Sequence, residues 1–176
     1  ERVGGGIGII EINQDNNLEA DLLLRRLLIA SERSINEFDE DFVACFYNEE
    51  LEISIKREGD IRQELARIAV DDTSNDLFLQ YQPILDLKTD SICGFEALAR
   101  LKTEKLGLVS PVEFIPIAEK TKLIIPIGKR IIIDAFCFLN RLRDLGYDSI
   151  SVDINISAIQ LLKPDFTSSL FDMISE

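Results

Sequence analysis

The stretch that most constrains the fold runs from Cys93 to Leu101, where every second residue is apolar. These apolar positions are Cys93, Phe95, Ala97, Ala99 and Leu101. Side chains alternate across a strand, so Glu96 and Arg100 project together from the opposite face. They stand about 13 Å apart, at ~3.3 Å per residue, which is long for a mutual salt bridge. The pattern predicts a strand whose two charges each have a partner elsewhere, or else a sheet edge with two solvated charges.

The segments around this strand alternate between strand and helix patterns. Thr89-Asp90 predicts a turn before it, and Ser110-Pro-Val-Glu113 predicts a helix start with a capping box and proline at the first position. This alternation predicts an α/β fold with a parallel sheet. The predicted elements are strand Leu77–Leu87, strand Ile92–Leu101, a helix after Ser110, helix Pro126–Leu145, strand Ser151–Ser157, and a helical stretch Ala158–Ser175 interrupted at Pro164.

The first half of the chain has a different organisation. A glycine-rich strand, a helix and a second strand are predicted there, followed by a charged helix with a break or a fresh cap at Gly59-Asp60. That charged helix has the composition of a solvated connector, and the polar turn after it predicts a domain boundary. The predicted segments are Val3–Ile12, Leu18–Asn36, Phe42–Tyr47 and Glu49–Ala69, and the predicted domains are 1–48, 49–75 and 76–176.

The composition limits which partners and which metal sites this chain can have. The formal net charge of −13 argues against a nucleic acid polymer as partner, although a metal ion and one arginine can reverse the potential locally for a small phosphate ligand. Histidine is absent, which removes imidazole zinc sites and histidine general bases. A metal would therefore be held by oxygen ligands, which favours Mg²⁺ or Mn²⁺.

The cysteines and the hydropathy pattern bear on location. Cys45, Cys93 and Cys137 lie in apolar segments without metal-type spacing, which predicts buried, reduced thiols in a cytoplasmic protein. No apolar run reaches the ~18 residues that a membrane span needs. The chain begins with Glu1, so we expect it to be cut from a longer parent, which a missing N-terminal region could anchor in a membrane.

Five ordered elements resemble one known family. They are Phe78–Leu85, the Glu-Ala-Leu-x-Arg element at 96–100, Ser110–Glu119, Leu123–Gly128 and Asn155-Ile-Ser157. Together they closely resemble the start of an EAL domain, the cyclic di-GMP phosphodiesterase family. The resemblance implies that residues 76–176 form the N-terminal part of a TIM-like (β/α) barrel. Residues 1–48 resemble, more loosely, the closing part of an α+β GGDEF (diguanylate cyclase) domain.

The resemblance also implies roles for particular residues. Glu96 and Asn155 correspond to metal ligands, and Arg100 to a residue that contacts the substrate phosphate. Leu98 and Gln82 would lie near the nucleotide base. Two divalent ions would promote hydrolysis of cyclic di-GMP to linear pGpG. From the residues alone, Asn155 could instead cap the following helix, although Ser157 could take that cap.

The EAL-like segment is short for its family. A full barrel needs ~250 residues, so we expect the remaining metal carboxylates, an aspartate pair and a lysine to follow Glu176 in the parent. The chain as given is then expected to be an inactive, truncated fragment that forms a homodimer, with GGDEF or sensory domains upstream in the parent. The parent itself could be a phosphodiesterase, a non-hydrolysing cyclic di-GMP receptor or an interaction scaffold. Asp153 lies on the face of its predicted strand that would point into the barrel, and it has no assigned role.

Overall fold

The chain folds as two compact units, Glu1–Gly59 and Asp60–Glu176, in the computed structural model. The structure describes residues 6–12, 19–37, 44–71 and 73–175. None of the helices in these ranges is both long enough and apolar enough to cross a membrane. The domain limits drawn from the sequence, at residues 48 and 75, stay predictions.

The first unit contains two short parallel strands and a helix between them in sequence. Its elements are β1 (Ile7–Ile9), α1 (Ala20–Glu37) and β2 (Ala44–Phe46). The order strand, helix, strand is the predicted one. Residues 3–5 and 42–43, which the sequence analysis also assigns to these strands, lie outside the described residues.

Gly8, in the middle of β1, has a structural reason to be glycine. A Cβ at this position would collide with the Leu27 carbonyl and the Ser31 amide of α1. Only glycine therefore allows the helix backbone to lie this close to the strand. The glycine at this position serves packing between a helix and a strand.

The next helix, α2 (Glu49–Ile68), continues through Gly59, so the predicted break is wrong. A glycine inside a helix costs roughly 1 kcal/mol relative to alanine, whereas a buried leucine or isoleucine contributes ~1.5–3 kcal/mol. Ile61, Leu65 and Ile68 are all at most 1% exposed. This second half of α2 belongs to the core of the second unit and is not a solvated connector.

The second unit is built on a four-stranded sheet with β4 at its centre. Its elements are β3 (Leu77–Asp86), β4 (Ser91–Thr103), β5 (Gly107–Val109), α3 (Pro111–Lys120), α4 (Ile124–Asp144), β6 (Ser151–Ile154), α5 (Ala158–Leu161) and α6 (Phe166–Ser175). The sequence does not predict the short strand β5. Every element that it does predict in this half is present, with boundaries shifted by a few residues.

The sheet is mixed, and the prediction of a parallel sheet is therefore only partly right. Both β3 and β5 run antiparallel to β4, whereas β6 runs parallel to it. Short turns connect β3 to β4 and β4 to β5, and strands joined by short turns must be antiparallel. The chain reaches β6 only after two helices, and this long crossover permits the parallel pairing.

The core of the second unit lies against the apolar row of β4. Ala97 and Leu101 are buried on this row, as the alternating pattern predicts. Buried side chains from the neighbouring strands and helices complete the core: Ile61, Leu65, Ile68, Leu77, Val109, Phe114, Ala118, Ile124 and Ile127. Helices thus cover one face of β4, and the other face carries its polar residues.

Two serines precede helices in similar sequence contexts but behave differently. Ser110 stands before α3, with Pro111 at the first helical position, yet its side chain makes no capping hydrogen bond. The helix starts as predicted, but the predicted capping box is wrong. Ser157 does form a capping box at α5, in which Gln160 provides the reciprocal bond.

The three thiols contradict the prediction that they are buried. Cys93 and Cys137 are exposed, Cys45 is partly exposed, and all three are free of disulfide bonds. Cys93 lies near the start of β4, before the buried part of its apolar row. Cys137 is not among the residues that α4 buries, which include Ile132 and Ala135. Apolar neighbours in sequence therefore do not bury these thiols.

Candidate functional site

The polar face of β4 carries Glu96, Leu98 and Arg100, all partly exposed. On the neighbouring strand, Gln82 lies opposite Glu96, and Gln80 lies opposite Leu98. Residues that stand directly opposite each other in an antiparallel pair project from the same face. The two glutamines of β3 therefore share the face of Glu96 and Arg100.

The parallel strand β6 brings Asn155 to this face. Asp153 pairs with Glu96 in the β4–β6 register, and the strand ends one residue later at Ile154. The side-chain amide Nδ2 of Asn155 donates a hydrogen bond of 2.8 Å to Oε1 of Glu96. Two residues that stand 59 positions apart in the sequence thus meet side chain to side chain. Both are the residues that correspond to metal ligands in the family resemblance, and the structure brings their side chains into contact.

Asn155 does not serve as a helix cap. Oγ of Ser157 accepts the hydrogen bond from the backbone amide of Ile159, and the Ser157 amide donates to Oε1 of Gln160 at 3.2 Å. Of the two residues that could cap this helix by sequence, Asn155 and Ser157, it is therefore Ser157 that does so. The side chain of Asn155 remains directed at Glu96.

Arg100 is held by its own sheet. Its Nε donates to Oε1 of Gln80 at 2.7 Å, and its Nη1 donates to the carbonyl of Ala99 at 2.9 Å. These two bonds fix the plane of the guanidinium group. Gln82 is the residue of this strand that is expected at the site from the sequence; Gln80 is not, although both residues alternate onto the same face. Only the strand register distinguishes the two.

A largely apolar cavity of about 350 Å³ lies beside the end of β6. Its polar lining consists of Arg100, Glu119, Asn155, Ser157 and Gln160, and Leu98 also lines it. Glu96 is not part of this lining, so the cavity lies next to the Glu96–Asn155 pair and shares Asn155 with it. Asn155 therefore connects the polar face of β4 with this cavity.

The donor set can be tested against a hard divalent cation. Glu96, Asn155 and Asp153 offer carboxylate and amide oxygens on one face, which suits Mg²⁺ or Mn²⁺ by ligand type. Asp153 is exposed and stands beside Glu96 in register. Within the described part of the chain, however, no three Asp, Glu, Cys or His side chains are grouped so that they could hold a metal. The residues fit a metal by type and would form only part of its site.

Comparison with known proteins gives the family context. A model of the EAL domain matches residues 62–176. The signaling protein YkoW of Bacillus subtilis is 46% identical over 104 residues, which are 58% of this chain and 13% of that protein. The bifunctional diguanylate cyclase/cyclic di-GMP phosphodiesterase MucR of Pseudomonas aeruginosa is 26% identical over 176 residues, which are 96% of this chain and 24% of that protein.

Among solved structures, the PaMucR phosphodiesterase in its c-di-GMP complex has a similar fold. The TM-score is 0.59 at 29% identity, and the match covers 65% of this chain and 45% of that chain. The chain thus spans less than half of that structure and less than a quarter of the curated relatives named above.

Proposed function

This chain belongs to the EAL-domain family, and we propose that it is part of a signalling protein that hydrolyses cyclic di-GMP to linear pGpG. The observation that carries the proposal is the hydrogen bond between Asn155 and Glu96, on the face that also presents Arg100. The names of relatives support the same activity, since MucR is a cyclic di-GMP phosphodiesterase. Its solved structure is a c-di-GMP complex.

In this proposal Arg100 binds a phosphate of the dinucleotide. Gln80 and the Ala99 carbonyl already orient the guanidinium group, so less conformational freedom is lost when the phosphate binds. An arginine fork matches the geometry of a phosphodiester better than an ammonium group does. Leu98, on the same face, would contact the base, and Gln82 would lie within reach of it.

Glu96 and Asn155 would hold Mg²⁺ or Mn²⁺ in this proposal. A bound divalent ion polarises a phosphodiester and lowers the pKa of a coordinated water. The amide of Asn155 would turn its oxygen towards the ion, and Glu96 would supply negative charge. Because one carboxylate and one amide are few ligands for catalysis with two ions, the proposal requires further carboxylates from the longer protein.

The same proposal covers the finer architecture. Residues 76–176 would be the first part of a TIM-like barrel, and residues 1–48 the remnant of a GGDEF-like domain. The exposed apolar side chains of the isolated chain, such as Val112, Leu161 and Leu162, favour self-association as a homodimer. A further GGDEF or sensory domain would precede the chain in its parent, and the location would be the cytoplasm.

The test is a hydrolysis assay with Mg²⁺ or Mn²⁺ on the longer parent protein and on the 176-residue chain. We expect the parent to convert cyclic di-GMP to pGpG, Glu96→Ala to abolish conversion, and the exposed control Glu104→Ala to retain it. The isolated chain should not convert the substrate. Conversion by the isolated chain that Glu96→Ala abolishes would show that the residues present suffice.

A non-hydrolysing receptor is the second candidate. It applies if the longer parent protein lacks the further carboxylates that hydrolysis requires. In that case the parent would bind cyclic di-GMP in calorimetry and lose binding on Arg100→Ala, but no pGpG would form. A parent that neither binds nor hydrolyses the dinucleotide would leave an interaction scaffold as the remaining function.

A further inference from the structure

Glu119 makes a contact with the turn that carries Asn155. It lies in the last turn of α3, is half-buried, and lines the same cavity as Arg100 and Asn155. Its Oε1 accepts a hydrogen bond of 2.6 Å from the hydroxyl of Ser157, which stands 38 positions later in the chain. A distance of ~2.5–2.7 Å is typical of a hydroxyl that donates to an ionised carboxylate, and such bonds are stronger than neutral ones.

The position of Glu119 in its helix is unfavourable on local grounds. The C-terminal end of a helix carries partial negative charge, so a carboxylate in the last turn is destabilising. Residues that break a local rule are concentrated at functional sites. The bond to Ser157 gives this carboxylate a tertiary role that helix stability does not explain.

The turn between β6 and α5 is fixed at both of its ends. At the first end, Ile154 pairs with Ala97 in the β4–β6 register. At the other end, Ser157 makes three hydrogen bonds, to Glu119, Gln160 and the amide of Ile159. Only Asn155 and Ile156 lie between these two fixed points. The backbone of Asn155 therefore has little freedom while the bonds of Ser157 persist.

We infer that Glu119 is a positioning residue for Asn155: through the hydroxyl of Ser157 it fixes the turn that presents the Asn155 amide to Glu96. This inference deepens the proposed function, and its consequence for metal and dinucleotide binding depends on that function. The geometric part does not, because it concerns only the orientation of one side chain in the free protein.

The first experiment reads that orientation directly. In the ¹⁵N-labelled chain, the side-chain amide resonances of Asn155 are identified by their loss in Asn155→Asp. We expect Glu119→Ala and Ser157→Ala to shift these resonances similarly, and the double variant to shift them no further. Ser157→Thr keeps the hydroxyl and should retain the wild-type position, as should the exposed control Glu104→Gln. Unchanged Asn155 resonances in folded Glu119→Ala and Ser157→Ala would overturn the inference.

Loss of folding is controlled by a variant of similar size. If the circular dichroism of Glu119→Ala shows an unfolded chain, Glu119→Met replaces it, because methionine keeps the approximate volume and has no oxygen that could accept the bond from the Ser157 hydroxyl. A shift of the Asn155 resonances in Glu119→Met then supports the inference, and their wild-type position contradicts it.

The second experiment measures Mn²⁺ affinity by calorimetry in the longer parent protein. Loss of a residue that orients a metal ligand typically weakens binding ~10–100-fold, and we expect a tenfold loss or more in Glu119→Ala, with Ser157→Thr near wild type. Wild-type affinity in Glu119→Ala would overturn the consequence for binding. If the wild-type parent binds no Mn²⁺, the proposed function fails, and the resonance experiment still decides the positioning role.

Discussion

The two faces of β4 are built from alternate residues of one strand, yet they differ in burial and in partners. On one face Ala97 and Leu101 are 3% and 0% exposed, and Leu101 packs in the core formed with the helices. On the other face Glu96 and Arg100 are half-buried and bond to polar side chains from β3 and from the turn after β6. The residues that stabilise the fold and the residues of the proposed site therefore lie on opposite faces of the same sheet.

This separation has a simple physical cause. Covering a sheet with helices on one side buries every second residue, and burial there contributes ~25 cal/mol per Å² of apolar surface. The remaining residues are free to carry charge, because their polar groups find partners within the face or in solvent. Substitutions on the two faces should therefore affect different measurements.

The largest expected effect is on the apolar face. Leu101→Ala removes a side chain with no solvent exposure from the core, and such changes typically cost ~2–5 kcal/mol of unfolding free energy. Urea unfolding followed by circular dichroism measures this loss. The matched control is Leu98→Ala, the same substitution on the polar face, where the leucine is only half-buried. Equal losses in the two variants would contradict the assignment of the two faces.

The next effect concerns the polar face. Arg100→Lys should weaken cyclic di-GMP binding to the longer parent protein at least tenfold, about 1.4 kcal/mol, with an unchanged melting temperature. Lysine keeps the charge but cannot reproduce the planar fork that Gln80 and the Ala99 carbonyl orient. Calorimetry gives the affinity, and the exposed Arg143→Lys is the control. An affinity equal to wild type would remove Arg100 from the site.

The smallest expected effect concerns Asp134, a partly exposed residue of α4. Burial raises the pKa of the Asp134 carboxyl from its ordinary 3.8, and the nearby Arg130 only partly opposes this. The folded chain thus holds this proton more tightly than the unfolded chain, so the carboxyl costs stability as the pH rises from about 4. Asp134→Asn should therefore gain stability relative to wild type between pH 4 and 7.

The gain should be only about a few tenths of a kcal/mol, because the side chain is 43% exposed and solvent screens its charge. Urea unfolding of both proteins at the two pH values measures it. A variant that loses stability relative to wild type over this range would show that the ion pair with Arg130 outweighs burial.

Some features of the site could be predicted from local pattern. The alternation along β4 assigns Glu96 and Arg100 to one face, and the Ser-x-x-Gln spacing at Ser157 leaves Asn155 free of capping. Other features could not be predicted. Gln80 and Gln82 are equivalent by alternation, and only the register with β4 assigns Gln80 to Arg100.

The same limit explains the errors elsewhere. The two serines before helices look alike in sequence, but the hydroxyl of Ser157 also bonds to Glu119, 38 positions away, whereas Ser110 makes no side-chain cap. Gly59 looks like a helix break, but the helix continues past it because the residues that follow are buried in the core. Each outcome depends on what lies beside a residue in space.

The sequence by itself determined which side chains share a face, where most elements begin, and that oxygen ligands are available on β4 and after β6. The tertiary structure decided that β6 pairs with β4, that the sheet is mixed, and that Asn155 reaches Glu96 across 59 residues. The physical reason is that periodicity and capping act over a few neighbouring residues. Strand pairing depends instead on burial among segments distant in sequence, which no local pattern encodes.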